Sequence, residues 1–440
     1  MDCCGHWRKD LSAISEVLPS FKSLRVLSTM DNLAIEKVSV WVDKLSHLMY
    51  LDLSHCNFEV PPNAITRLKN LQTLKFNECR NLKRFAKDTR KLINLRHLGT
   101  DGCSHLTHIL HEIGELTLLQ SLPLFVVGDQ RELSRDHTIG SLIELKRLNQ
   151  LRGGLCIKNL QNAQVSKGEI LKEKECLKSL RLEWAPEDNS DVDDELVMKG
   201  LQPRRNLKEL YISGNRGERF PSWMMNSLLP NLIKIEIRGC SRCQVLPPFS
   251  QLPSLQSLEL WNMEVVEGMK EGSSTTNAEY FPALQLLKLN KMPKLKGLWR
   301  MGSGAEQGLS FPYLSELEIE ECSKLTSFEL HSSPSLSTSK ITNCPDLTSF
   351  KLHSSPRLST LEFEECPLLS SFELHSSPCL YEFEISDCPT LTSLGLQSSP
   401  SLSKLKIHSC PNLTSLEMPS SLGLSQLQIS DRRNLKSLEL

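Results

Sequence analysis

The feature that most limits the fold of this chain is a register. Leu314, Leu336, Leu358, Leu380 and Leu402 stand 22 residues apart, and each opens the same pattern. Leu314-Ser-Glu-Leu317-Glu-Ile319-Glu-Glu-Cys322 is followed in turn by Leu336…Ile341…Cys344, Leu358…Phe363…Cys366, Leu380…Ile385…Cys388 and Leu402…Ile407…Cys410. The central apolar residues alternate with polar ones, which is the period of a short strand with one buried face. A Ser-Ser-Pro turn comes next in most copies. A single unit is too small to bury its own apolar face, so copies must stack and each strand must pair with its equivalent in the next coil.

The form L-x-x-L-x-L-x-x-C-x-x-L is the leucine-rich-repeat consensus, with Cys where Asn is often found. Looser copies begin at Leu24, Leu48, Leu71, Leu95, Leu119, Leu177, Leu207, Leu232, Leu255 and Leu284, with a degenerate one at Gly154-Leu155-Cys156-Ile157. The pattern predicts an α/β leucine-rich-repeat solenoid of about seventeen repeats, with one parallel β-sheet on a concave face and an irregular or short-helical convex side. Residues 1–23 read as a short, poorly capped leader, 24–313 as irregular repeats and 314–440 as the regular ones. The sparse leader and a final Leu435-Lys-Ser-Leu438-Glu-Leu440 that ends partway through a coil suggest a truncated product with fraying ends. Gln130–Leu148, Glu187–Glu195 and Gly268–Ala278 break the rhythm and read as surface insertions.

Several function classes lose support from composition. With 51 basic and 52 acidic residues the net charge is −1, so no overall field draws the chain to nucleic acid or an anionic membrane. There is no run of 18 apolar residues and no secretory signal, and fifteen cysteines is an odd number in a large chain. A cytoplasmic protein with free thiols is expected. No phosphate loop, dinucleotide fingerprint, H-E-x-x-H or G-x-S-x-G is present, and neither an enzyme nor a cofactor is expected.

Two repeated features merit weighing as chemistry. Cys322, Cys344, Cys366, Cys388 and Cys410 form a ladder, but a line of thiols lacks the tetrahedral clustering of a zinc site, and a structural role inside the turn is expected. Cys240-Ser-Arg-Cys243 is a single pair with no second pair at zinc spacing. His331, His353 and His375 recur in the His-Ser-Ser-Pro turn and should stand in a column; Gln397 in the next copy favours duplication over a metal site.

The polar positions of the strand motif should line the working surface. They include Tyr211, Glu236, Arg238, Glu259, Trp261 and Lys288, followed by Glu318, Glu320, Lys340, Glu362, Glu364, Tyr381 and Glu384. The second group predicts an acidic patch interrupted by Lys340, suited to a protein partner with a basic patch. Trp261 and Tyr381 are the leading contact residues, since exposed aromatics on a rigid sheet anchor protein interfaces.

Six ordered blocks go beyond the generic repeat: Leu122-Pro-Leu-Phe-Val-Val-Gly128, residues 145–160, Leu180-Arg-Leu-Glu-Trp184, residues 201–210, Arg219-Phe-Pro-Ser-Trp-Met224 and residues 240–249. In these the chain resembles the repeat region of plant coiled-coil-type nucleotide-binding leucine-rich-repeat disease-resistance receptors. The resemblance implies a sensor of a pathogen effector or a modified host protein, held in a full-length parent against its own nucleotide-binding domain. The coiled-coil and nucleotide-binding signatures are not among the matched blocks. A substrate adaptor of a ubiquitin ligase, built on the same repeats, is the alternative.

Overall fold

The computed structural model describes residues 18–28, 42, 44–129, 140–164, 168–185, 192–226, 228–268, 281–297, 311–396, 398–418, 423–430 and 437–439. The chain divides into two compact units, 1–204 and 205–440. Each is a leucine-rich-repeat solenoid built on parallel strands.

In the first unit Val26–Ser28, Tyr50–Asp52, Thr73–Lys75 and His97–Gly99 pair in parallel, with Leu27, Leu51, Leu74 and Leu98 in one row. Three of those leucines are buried and form the spine. The coils close on the far side through 3-10 turns at Asn63–Arg67, Thr89–Lys91 and Ile113–Glu115. The three strands that follow, Leu124–Val126, Arg152–Lys158 and Cys176–Glu183, also pair in parallel, with a register shift between Gly153 and Gly154. The degenerate copy is therefore a strand with a bulge, as its glycines allow.

In the second unit ten described strands pair in succession, from Glu209–Ser213 through Ser257–Trp261, Glu316–Glu320 and Thr360–Glu364 to Gln426–Ile429. Leu317, Leu361 and Leu405 are buried and their strands hydrogen-bond through the intervening copies, so the leucine spine expected from the register is present. The expectation of one sheet is corrected in the regular repeats. Ser327–Leu330, Ser349–Leu352 and Ser371–Leu374 form a second parallel sheet where irregular or helical chain was expected. Its buried Phe328, Phe350 and Phe372 stack on one another at 5.8 and 6.0 Å between ring centres. Each repeat thus contributes a ring to a continuous aromatic column, in which offset stacking adds to simple burial.

Each of these ten main strands but the last is followed by one residue with positive φ. Gly214 and Gly239 hold this position in the early repeats, then Asn262, Lys291, Glu321, Asn343, Glu365, Asp387 and Ser409, at φ between 50° and 63° for all but Gly214. A side chain disfavours that backbone. It is held by the ladder itself: the amides of Lys291, Glu321 and Glu365 donate to the carbonyls of Glu320, Thr342 and Ser386 in the next coil. The following cysteine then turns inward. Cys344, Cys366, Cys388 and Cys410 are buried free thiols whose Sγ donates to the carbonyl two residues back, at 3.2–3.5 Å.

Of the predicted insertions, 130–139, 186–191 and 269–280 lie outside the described residues. Their flanks carry a 3-10 helix at Leu142–Arg147 and an α-helix at Asp194–Gly200, the latter capped by Asp193, which accepts from the amides of Glu195 and Leu196. Among the described residues no helix is long and apolar enough to cross a membrane.

Candidate functional site

Alternation places every second strand residue of the second unit on the solvent face, in three columns set by the register. The middle column runs Tyr211, Glu236, Glu259, Lys288, Glu318, Lys340, Glu362, Glu384 and Lys406. A second column carries Arg238, Trp261, Asn290, Glu320, Thr342 and Glu364. All the predicted strand residues therefore share one face.

Their charges are not bare, and the expected acidic patch is corrected. Lys288 Nζ lies 2.8 Å from Glu318 and 3.0 Å from Glu316, Lys340 lies 2.7 Å from Glu362, and Lys406 lies 2.8 Å from Glu384 and 3.1 Å from Glu382. Hydrogen bonds to Glu318, Glu362 and Glu384 hold these three ammonium groups above the ordinary lysine value. A strand spacing of about 4.8 Å brings in-register side chains of opposite sign together. Acids counted along one repeat meet lysines that lie one coil away. Of the predicted acids, Glu364 is the exposed one that has no ion pair among the described residues.

The aromatic residues are likewise partnered. Arg238 lies over the Trp261 ring at 4.6 Å, Lys404 over Tyr381 at 5.5 Å and Lys234 over Tyr211 at 5.7 Å. Trp261 is only partly exposed beneath its guanidinium, whereas Tyr381 is 48% exposed. Glu236 and Glu259 have side chains 12% and 13% exposed, covered by Arg238 and Lys234, which makes them supports rather than contacts. Tyr381 precedes its strand, in a column otherwise held by Ser315, Ser337, Ser359, Ser403 and Ser425. Most of those hydroxyls fold back on the carbonyl of the preceding coil, so the tyrosine stands above a low hydroxyl row.

One feature of the first unit escaped the sequence reading. An open hollow of about 750 Å³ lies on its sheet face, bordered by Tyr50, Lys75, His97, Asp101, Arg152 and Arg181. Gly153, at φ +76°, and Gly154 leave part of its lining without side chains: a Cβ at the first would touch nothing within 4 Å. Burial, then Arg152, Arg96 and Lys75, push the His97 imidazole below its ordinary value, and Lys75, Arg152 and Arg181 outnumber Asp101 along the rim. Only the paired glycines of the degenerate copy signalled it, since its cations come from separate coils.

Residues 142–263 match the family model described as R13L1/DRL21 LRRs, and residues 204–344 match that of RPS2-like plant disease resistance protein leucine-rich repeats. The chain is 38% identical over 224 residues to putative disease resistance protein RGA1 of Solanum bulbocastanum, covering 49% of this chain and 21% of the relative. It is 34% identical over 320 residues to disease resistance protein RGA2 of the same species, covering 70% and 32%. A solved leucine-rich-repeat protein of Leptospira interrogans aligns over 95% of this chain and 93% of its own, at 19% identity and a TM-score of 0.41. The chain spans about a fifth to a third of the length of the curated relatives it matches. Its repeats are leucine-rich repeats of the kind carried by plant disease resistance proteins.

Proposed function

We propose that this chain is a non-catalytic, cytoplasmic recognition module of a plant innate immune receptor. It senses a pathogen effector or a modified host protein through the sheet face of its second unit. Leucine-rich-repeat domains generally mediate protein interactions, and the kinship with disease resistance proteins supplies the biological setting. The observation that carries the choice of face is Tyr381, a half-exposed aromatic raised over a serine row at the start of its strand. The in-register ion pairs hold the surrounding side chains in place, so a partner meets a preorganised surface. Glu364 offers the partner's basic side chain an acceptor that no lysine of this chain already occupies.

The test is a binding screen of the full chain against secreted pathogen proteins and leaf proteins, followed by Tyr381→Ala and Glu364→Lys. A partner that reads this face loses about tenfold or more in affinity with Tyr381→Ala, as an interface anchor does. Partners indifferent to both variants and to Trp261→Ala would remove the sheet face from the reading. Reversing Glu362 or Glu384 is a poorer probe, because each already holds a lysine.

A further inference from the structure

We propose that Glu329, His331 and His353 form a binding site for a divalent transition-metal ion of the zinc class. Glu329 lies on the second-sheet strand Ser327–Leu330. Leu330 is buried, so His331 returns to the same side as Glu329. His353 reaches the place from the next coil, where its amide donates to the Leu330 carbonyl at 3.0 Å and fixes the local spacing. The two imidazoles are 4.6 Å apart between ring centres.

The potential ligand atoms converge on one point. His353 Nε2 lies 2.8 Å from Glu329 Oε1 and His331 Nδ1 lies 3.7 Å from the same oxygen, and one ligand atom from each of the three residues falls within 4.8 Å of the other two. Zinc bonds of about 2.0–2.2 Å place neighbouring ligands of a tetrahedron roughly 3.4 Å apart. Small ring rotations of these partly exposed side chains close the difference. His331 Nδ1 is shut off from solvent and has no hydrogen-bond partner among the described residues, so its lone pair is available to an ion.

Among the described residues the set occurs once, because the register interrupts the carboxylates with a lysine. Glu329 pairs across the second sheet with Lys351 and then Glu373. Lys351 is engaged by Glu373 at 2.7 Å, and it replaces the carboxylate that would otherwise join His353 to His375. A line of histidines read along the sequence gives no site; a carboxylate brought across from the strand beside it does. Two imidazoles and one carboxylate suit zinc and its neighbours better than magnesium or calcium, which prefer all-oxygen shells. Glu329 is exposed and both histidines are partly exposed, so water or a donor from a bound protein can complete the shell.

The experiment is calorimetric titration of Zn²⁺ into the full chain after alkylation of its accessible thiols. One bound ion is expected, with affinity reduced by about tenfold or more in His353→Ala and in Glu329→Gln, since loss of even an outer-shell contact costs about 10–100-fold. His375→Ala, outside the set, should bind as the parent does. Circular dichroism checks that each variant is folded, as expected for exposed positions. Absence of zinc binding, or unchanged affinity in both ligand variants, overturns the proposal. So does a thiolate charge-transfer band on Co²⁺ substitution, which would put the metal on a cysteine.

Discussion

The first unit and the regular repeats of the second meet the same packing problem with different lengths of chain. In the first unit equivalent contacts fall 24 residues apart, as between Lys83 and Glu59 or Thr107 and Lys83. In the regular repeats they fall 22 apart, as between Ser337 and Ser315. The longer coil closes through 3-10 turns and the shorter one through a second strand. A 3-10 turn advances about 2.0 Å per residue and a strand about 3.3 Å, so extended chain spans the same back with fewer residues. The shorter period therefore creates the second sheet, and with it the surface that brings Glu329 to His353.

The largest test of this contrast removes a ring from the aromatic column. Phe350 touches Phe328, Phe363 and Phe372, and Phe350→Ala should cost about 3–5 kcal/mol, read by urea unfolding. Because each coil leans on its neighbours, hydrogen-exchange protection should fall at 327–374 and stay unchanged in the first unit. Preserved protection of the second sheet would show that its pairing does not rest on the rings.

Next in size is a pH effect confined to the first unit. Lys174 is fully buried, donates to the Leu145 carbonyl at 2.6 Å, and is pushed down by burial from 10.5 to about 8. Below pH 8 both folded and unfolded chains carry the charge, and the folded state bears its full desolvation cost. Between about 8 and 10.5 the unfolded chain binds more protons, so stability rises with pH by on the order of 3 kcal/mol at most. Denaturant titrations across that window should show the rise in the parent and none in Lys174→Met. A flat profile in the parent would mean that water reaches the ammonium in the folded state.

A smaller effect comes from the one serine in the leucine spine of the regular repeats. Ser339 sits in register between Leu317 and Leu361, 2% exposed, and its hydroxyl finds no partner among the described residues. Ser339→Ala removes a buried unsatisfied group and should stabilise by about 1 kcal/mol. Destabilisation would reveal a hydrogen bond that the packing hides.

These sites differ in how far the sequence disclosed them. The spine was legible because period two and period 22 reinforce each other, and the solvent-facing residues followed from alternation alone. Ion pairing was not, because Lys406 and Glu384 meet across a sheet spacing rather than along the chain. The left-handed position stayed hidden as well, since Glu321 and Glu365 hold a backbone usually announced by Gly or Asn. The zinc-class set needed a strand in a place where repeat patterning predicts none.

The smallest predicted effect bears on the surface proposed for recognition. A double-mutant cycle on Lys340→Met and Glu362→Gln should give a coupling of about 0.2–1 kcal/mol, because a pair on an open sheet is screened by solvent. Lys83 and Glu59 in the first unit meet at the same 2.7 Å but are more exposed, and should couple less. Both couplings should shrink when salt is raised, the second sooner. If Lys340 and Glu362 instead couple by well over 1 kcal/mol, the lysine and glutamate columns act as a linked network. Ordering would then be stored in the face before any partner arrives, and a change at one repeat would alter recognition at the next.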